Sequence, residues 1–476
     1  MEPVEAPSPE TPPKAWPGLD QRPCGSRIGL RDALWSSALP VAAAAAATAT
    51  VGAIGADARW LVALGRVVVR DGHIPDGVPY AAAPSAAWHN VPVLSEVIFY
   101  GLWSLLGDRG LLLLQVAAVA SGFALLAAAA RLRAGGESAT VSLLLVALGA
   151  VGTLAVIRVQ LFSLVLFPAL LLLLRAEALR PSRRVWLLIP LIALWSNLHG
   201  AVLLGLAVAA AYLTLARARQ QPLVAAAVLA ASVAALAATP AGFATFDYYR
   251  DVLQNEAARQ QIGLWAPLSL HAPLDVLLVA VVVILVAIVL RARHRPAVWE
   301  LAALAGLAFS TARTARTGVF LLFFLAAPVA EALDLRFRIP PRRRIPLVGA
   351  LVALTCIGLV RGPILIAAHG GMIRSAIARA DGTPILAEDA LAEQVALAGG
   401  RVWIGNPLDA FPMDDQRLYV EWLRGSPDGD AALRHARRAV LVHSGSRADR
   451  RLRGSAAFVE VSRDDEAALY IRARFR

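Results

Sequence analysis

The feature that most constrains this chain is its succession of long apolar runs. A helix that crosses a bilayer needs roughly 20 mostly apolar residues, because hydrocarbon cannot satisfy an open backbone. The chain has 476 residues, 58% hydrophobic and 17% charged, too apolar a balance for a soluble protein of this length. About eleven runs qualify as spans. They lie near 34–55, 110–130, 138–157, 161–175, 185–198, 200–216, 222–239, 274–290, 297–312, 317–333 and 345–361. The pair 185–198 and 200–216 reads equally well as one broken element. The expected fold is mainly α, a polytopic transmembrane helical core of about 11 spans with a small C-terminal extramembrane α/β domain. The expected divisions are a disordered cytoplasmic tail at 1–33, a core at 34–361 with a large outer loop at 56–109, and an external domain at 362–476.

The net charge of +12 comes almost wholly from arginine, since Lys14 is the only lysine. With the N-terminus inside, the basic loops at 131–137, 175–184, 217–221, 291–296 and 334–344 all fall on the inner side. That is the positive-inside pattern, so the charge reads as topology and not as nucleic-acid binding. The expected localisation is the cell membrane, multi-pass, with the C-terminal domain external. Cys24 and Cys356 form neither a disulfide framework nor a metal site. No phosphate-binding glycine loop, zinc spacing or serine elbow is present, and "HSGSR" at 443–447 is a weak echo of a serine motif.

In the outer loop, "ARWLVALGRVVVR" spaces Trp60, Leu61, Leu64, Val67 and Val68 as one helical face, which suits a helix lying in the interface plane. "VPVLSEVIFYGLWSLLG" reads as a second such helix or a re-entrant one. In the tail, "ILAEDALAEQVALAGG" predicts a helix ending at Gly399–Gly400, and "RVWIGNP", "AVLVHSG", "AFVEVSR" and "AALYIRAR" predict four strands.

The outward side collects polar groups that apolar spans ordinarily exclude. Asp57 stands where the first span meets the outer loop, and His89, Asn90 and Glu96 follow in that loop. "IRVQLFS" carries Arg158 and Gln160, "LWSNLHG" carries Asn197 and His199, and "FSTARTARTG" carries Arg313 and Arg316. Polar residues at membrane depth are costly and face a protein interior or a wet cavity, so their convergence from separate segments predicts one external cavity. Asp57 fits a general base, a ligand for a divalent cation, a solvated loop aspartate, or the N-cap of the helix that follows. Arg158 fits a two-pronged phosphate contact or a snorkelling side chain, and Arg313 and Arg316 share its unusual placement. His199 fits a base, a metal ligand, a donor to phosphate, or a packing partner of Asn197. His89 has the same options from a loop.

Taken together, "DARWLVALGRVVVRDGHIP", the Trp-His-Asn segment, "LSEVIFYGLW", "RVQLFS" at 158–163, "LWSNLHG" at 194–200, "TPAGFATFDYYRDVLQNEAARQQIGLWAP", "RTGVFLLFFLAAPV" and "GGRVWIGNPLDAF" resemble a bacterial family of polytopic membrane proteins of the glycosyltransferase C superfamily. The resemblance runs across nearly the whole chain. It implies a transferase that moves a sugar from a polyprenyl-phosphate donor to an acceptor on the outer face of the membrane, with membrane lipid as its other partner. It implies Asp57 as the catalytic acidic residue. Substrate would be bound by His89, Glu96, Arg158, Gln160, Asn197, His199, Arg313 and Arg316. The metal and cofactor stay open, a divalent cation being the one candidate, as do sugar, acceptor and oligomeric state. The alternative is a non-catalytic glycolipid-binding or lipid-linked saccharide transport protein. Transporters of that kind carry internal repeats and midplane helix breaks, and no repeat of fixed period is visible.

Overall fold

A computed structural model of the chain describes residues 30–292, 295–335, 340–364 and 370–473. The tail through residue 29, with Cys24, and parts of the basic loops at 291–296 and 334–344 lie outside the described residues.

The helices of the first half are α1 (Leu30–Val51), α2 (Ala58–Asp71), α3 (Val93–Leu106), α4 (Asp108–Arg131), α5 (Gly136–Leu154), α6 (Ser163–Leu179), α7 (Leu188–Ser196), α8 (Val202–Leu215) and α9 (Pro222–Ala234). They continue as α10 (Thr245–Gln254), α11 (Glu256–Arg259), α12 (Pro273–Arg291), α13 (Val298–Arg313), α14 (Gly318–Leu333) and α15 (Pro341–Arg361). The tail adds α16 (Gly370–Ala380), α17 (Asp389–Leu397), α18 (Met413–Leu423) and α19 (Arg447–Arg453). The strands are β1 (Ala53–Ile54), β2 (Val156–Ile157), β3 (Leu386–Ala387), β4 (Ala439–His443), β5 (Phe458–Arg463) and β6 (Ala467–Arg472).

Among the described residues, seven helices are long and apolar enough to cross a membrane, or eight if one bent pair is a single span. The chain is a multi-pass membrane protein, and the described residues do not confirm the count of about eleven spans. Three of the expected runs fall short of a straight full span for structural reasons. The run at 185–198 opens as a 3₁₀ turn, Arg183–Leu187, and leaves α7 only 9 residues. The run at 222–239 breaks and turns through 99° into α10. α13 has 16 residues. An apolar run records what is buried, not where its helix stops.

The helices pack around an aromatic centre in which Phe167 meets Trp195 and Phe320 edge-on, at 6.3 and 5.1 Å between rings. At one end of the bundle, arginines meet carboxylates. Arg217 pairs with Glu177 at 3.5 Å, Arg133 with Glu300 at 3.3 Å, and Arg344 with Glu137. These pairs are largely buried, where a partner is obligatory because an isolated charge costs several kcal/mol, on the order of 3–5 when one member is lost.

The other end carries the tail. Its sheet has the order β3-β4-β6-β5, with β3 parallel to β4 and the remaining pairs antiparallel. Three of the four expected strands are present. "RVWIGNP" is not a strand, because its hydrogen bonds are divided: Val402 N–H donates to Tyr80 O at 2.9 Å on one side, and Trp403 N–H to Ile385 O at 2.9 Å on the other. This segment stitches the first loop to the tail.

The interface-plane expectation for α2 is overturned in the same place. Trp60, Ala63 and Leu64 are buried in one cluster with Ile385, Ala392, Val395 and Trp403 of the tail. On its other side α2 crosses α3 so closely that a Cβ on Gly65 would stand 2.1 Å from Glu96 O. A periodic apolar face can meet lipid or protein, and here it meets the tail.

Candidate active site at the tail end of the bundle

The site begins with a two-residue parallel pairing. β1 and β2 align Ala53 with Val156 and Ile54 with Ile157. Gly55 N–H then donates to Ile157 O at 3.0 Å. The next residues on the two segments are Ala56 with Asp57, and Arg158. Only glycine fits at 55, since a Cβ there would lie 2.4 Å from Val156 Cγ1 and 3.6 Å from Arg158 Nε. Two segments about a hundred residues apart in sequence are thus placed side by side.

Asp57 occupies the N-cap position of α2, yet its side chain makes no cap hydrogen bond. Its backbone has φ 80°, ψ −29°, a conformation that a non-glycine residue holds only when its surroundings impose it. The imposing contact is the Asp57 N–H, which donates to Glu393 Oε1 on α17 at 2.7 Å. The N-cap alternative therefore fails for the carboxylate. Burial raises the pKa of Asp57, while the positive charges of Arg158 and Arg316 lower it. Two guanidiniums around one carboxylate suit an added anion, not a divalent cation. Among the described residues, no group of three or more His, Cys, Asp or Glu is arranged to hold a metal ion.

Arg158 and Arg316 differ from Arg133, Arg217 and Arg344 at the opposite end in having no carboxylate at ion-pair distance among the described residues. Arg158 Nε is buried without a partner, as are the Nε atoms of Arg217 and Arg344. The Arg316 guanidinium lies over the Trp265 ring, 4.1 Å from its centre. Gln160 braces this pair from below, its Nε2 donating to Arg316 O at 3.0 Å.

His199 closes the group. Trp195 Nε1 donates to Ser163 Oγ at 2.8 Å, and Ser163 Oγ lies 2.7 Å from His199 Nδ1. Indole nitrogen is only a donor, which leaves the serine hydroxyl's own proton free to point toward Nδ1. Ala201 N–H also points at Nδ1, at 3.4 Å. Nδ1 is therefore the acceptor, and Nε2 carries the proton.

Other expected residues are placed differently. Asn197 donates to Ala193 O and Ala238 O at 2.8 and 2.7 Å, tying the end of α7 to the bend after α9. Glu96 is buried and accepts from Asn90 Nδ2 at 2.8 Å. His89 and Arg313 are exposed, and the structure does not bring either into the cluster. "HSGSR" is a helix cap, with Ser446 Oγ accepting from Asp449 N–H at 3.0 Å.

Sequence reasoning assigns no role to Ser163, Trp265, Tyr248 or Glu393. Tyr248 on α10 stands within electrostatic reach of Asp409, Glu96 and Asp57. Asp409, on the tail, accepts from Trp88 Nε1 at 3.1 Å, and burial raises its pKa to about 6 against that bond.

Among solved structures, the chain is similar to arabinofuranosyltransferase AftD from Mycobacteria, with a TM-score of 0.50 and 16% identity over 94% of this chain and 42% of that longer one. It is also similar to ArnT from Cupriavidus metallidurans, solved with undecaprenyl phosphate, at a TM-score of 0.48 and 14% identity over 94% of this chain and 98% of that one. The apo form of the same protein gives 0.48 and 13%, over 93% and 96% of the two chains. No protein-family model and no curated protein sequence matches the chain.

Proposed function

We propose that the chain is an integral membrane glycosyltransferase that transfers a sugar from a polyprenyl-phosphate donor to an acceptor on the outer face of the cell membrane. The observation that carries this reading is the pair Arg158 and Arg316. Among the described residues neither side chain makes a hydrogen bond, although every arginine pair named at the opposite end has a carboxylate. Guanidinium forks held ready beside a carboxylate match a phosphate that arrives with its substrate.

The donor's phosphate takes up the two guanidiniums, with His199 Nε2–H as a further donor. Neutralising those cations relieves what holds Asp57 down, so its carboxylate becomes the stronger base as substrate binds. Asp57 accepts the proton of the acceptor hydroxyl, and the acceptor oxygen bonds to the anomeric carbon. The bond from that carbon to the phosphate oxygen breaks, and polyprenyl phosphate leaves with the electron pair. One base and a direct displacement give inversion at the anomeric carbon.

The test is turnover and lipid binding by the purified chain in lipid discs, offered polyprenyl-phosphate sugars. Expected is binding of the lipid phosphate by parent protein and release of polyprenyl phosphate with acceptor present. Binding that never leads to release would leave the non-catalytic alternative. Orientation is tested separately with cysteines at Ala86, Ala456 and Arg183 on a background lacking Cys24 and Cys356. In intact cells an impermeant reagent should label the first two and spare the third; the reverse would invert the topology.

A further inference from the structure

We infer that Glu393, contributed by the tail, is a positioning residue for Asp57, holding that residue in its left-handed conformation and turning its carboxylate from the helix end toward Arg158 and Arg316. The inference rests on the proposed reading of Asp57 as the base.

The geometry is specific. Glu393 Oε1 accepts two N–H groups, from the Asp57 backbone at 2.7 Å and from Asn406 Nδ2 at 3.0 Å. Oε2 has no partner among the described residues, so it is the oxygen free to carry a proton. Glu393 is buried, at 1% exposure. Burial, first, and the Asp57 charge, second, push its pKa well above the usual carboxylate range, and the bonds from Asp57 and Asn406 and the charge of Arg59 only partly offset this. Around Asp57 the facing groups are Arg158, Arg316, Glu393, Asp389, Asp409 and Tyr248. Around Glu393 they are Asp57, Arg59, Arg158 and Tyr419. Of two buried carboxyls this close, one ionises first. The two guanidiniums beside Asp57 make that one Asp57, and Glu393 keeps its proton.

Two consequences follow from the signs. As pH rises and Glu393 loses its proton, a second negative charge appears against the base and the phosphate-binding arginines. Lipid-phosphate affinity then falls on the alkaline side of neutrality. Glu393→Gln cannot ionise but keeps a carbonyl oxygen for the Asp57 N–H, whereas Glu393→Ala keeps neither.

The experiment uses the full chain in lipid discs with undecaprenyl phosphate as probe, and pairs a pH series of affinity and turnover with amide hydrogen exchange over 53–58. Expected for Glu393→Gln is parent-like exchange, affinity within about threefold of parent at neutral pH, and loss of the alkaline fall. Expected for Glu393→Ala is at least tenfold faster exchange at Asp57 and at least tenfold lower turnover. A merely structural residue would not move the alkaline limb, and Glu393→Gln serves as the folded comparison if Glu393→Ala is unstable. An alkaline limb unchanged in Glu393→Gln, or parent-like exchange in Glu393→Ala, overturns the inference. Exchange as expected with no turnover by parent protein would sink the transferase reading and leave the placement of Glu393 standing.

Discussion

Ser163 and His199, 36 positions apart, meet at 2.7 Å, and the serine oxygen is itself held by the Trp195 indole at 2.8 Å. This chain of donors selects one imidazole tautomer, the one with its proton on Nε2. Ser163→Ala frees the choice and leaves the indole without an acceptor. Lipid-phosphate affinity should fall about two- to fivefold as the competent tautomer loses population. Stability should fall about 1–3 kcal/mol from the orphaned buried donor. Binding by native mass spectrometry and thermal denaturation read the two effects apart. Unchanged affinity would remove His199 from the phosphate site.

Asp57→Asn should abolish transfer with the protein folded and inserted. Loss of a positioned acid–base group costs about 10²–10⁴-fold in rate. Turnover of a lipid-linked sugar by variant and parent, at matched insertion, is the measurement. Near-equal turnover would end the case for Asp57 as base.

Arg158→Lys should weaken polyprenyl-phosphate binding markedly, and Arg158→Ala somewhat more, because an ammonium cannot reproduce a two-pronged contact. Arg316→Lys should behave alike, with the added loss of its stacking on Trp265. Arg313→Lys should bind like the parent, since its side chain is exposed. A snorkelling arginine would tolerate lysine at all three positions, and that pattern would sink the phosphate role.

Asp449 anchors the tail. It is fully buried and accepts from Arg463, Arg453, Tyr470 and the Gly445 N–H. Burial opposes its charge, but these donors outweigh it and hold the pKa below the usual carboxylate range. Its stabilising effect is therefore complete above the unfolded value of about 3.9 and is lost as pH falls through the depressed one. Asp449→Asn should destabilise the tail by about 3–5 kcal/mol, seen by limited proteolysis. It should also blunt the acid sensitivity of tail unfolding.

Much of the proposed site was legible because its residues are out of place. Arg158, Gln160, His199 and Arg316 interrupt apolar runs; in the structure Arg158 and Arg316 stand within electrostatic reach of both Asp57 and His199, and Gln160 bonds Arg316 O. Arg313 and His89 carry the same chemistry at neighbouring positions, and one turn of helix or one loop residue decided that they face outward. Asn197 interrupts a run for a different reason, capping a helix end against a bend. Glu393 was not legible at all. Its helix, "EDALAEQVAL", has the pattern of any amphipathic helix, and nothing local signals a contact 336 residues away. α2 was read correctly as amphipathic and wrongly as lipid-facing, because periodicity names a buried face without naming what buries it.

The shared core of α2 and the tail bears on how the protein is made. Trp60 and Leu64 leave the ribosome more than 300 residues before the segment that covers them, from Ile385 to Trp403. Until that segment is made, α2 has a bare apolar face and Asp57 lacks the acceptor for its amide. The arrangement around Asp57 can therefore be complete only after that segment is delivered. A nascent chain stalled before the tail would present a greasy helix, a natural handle for a holding chaperone or a quality-control protease.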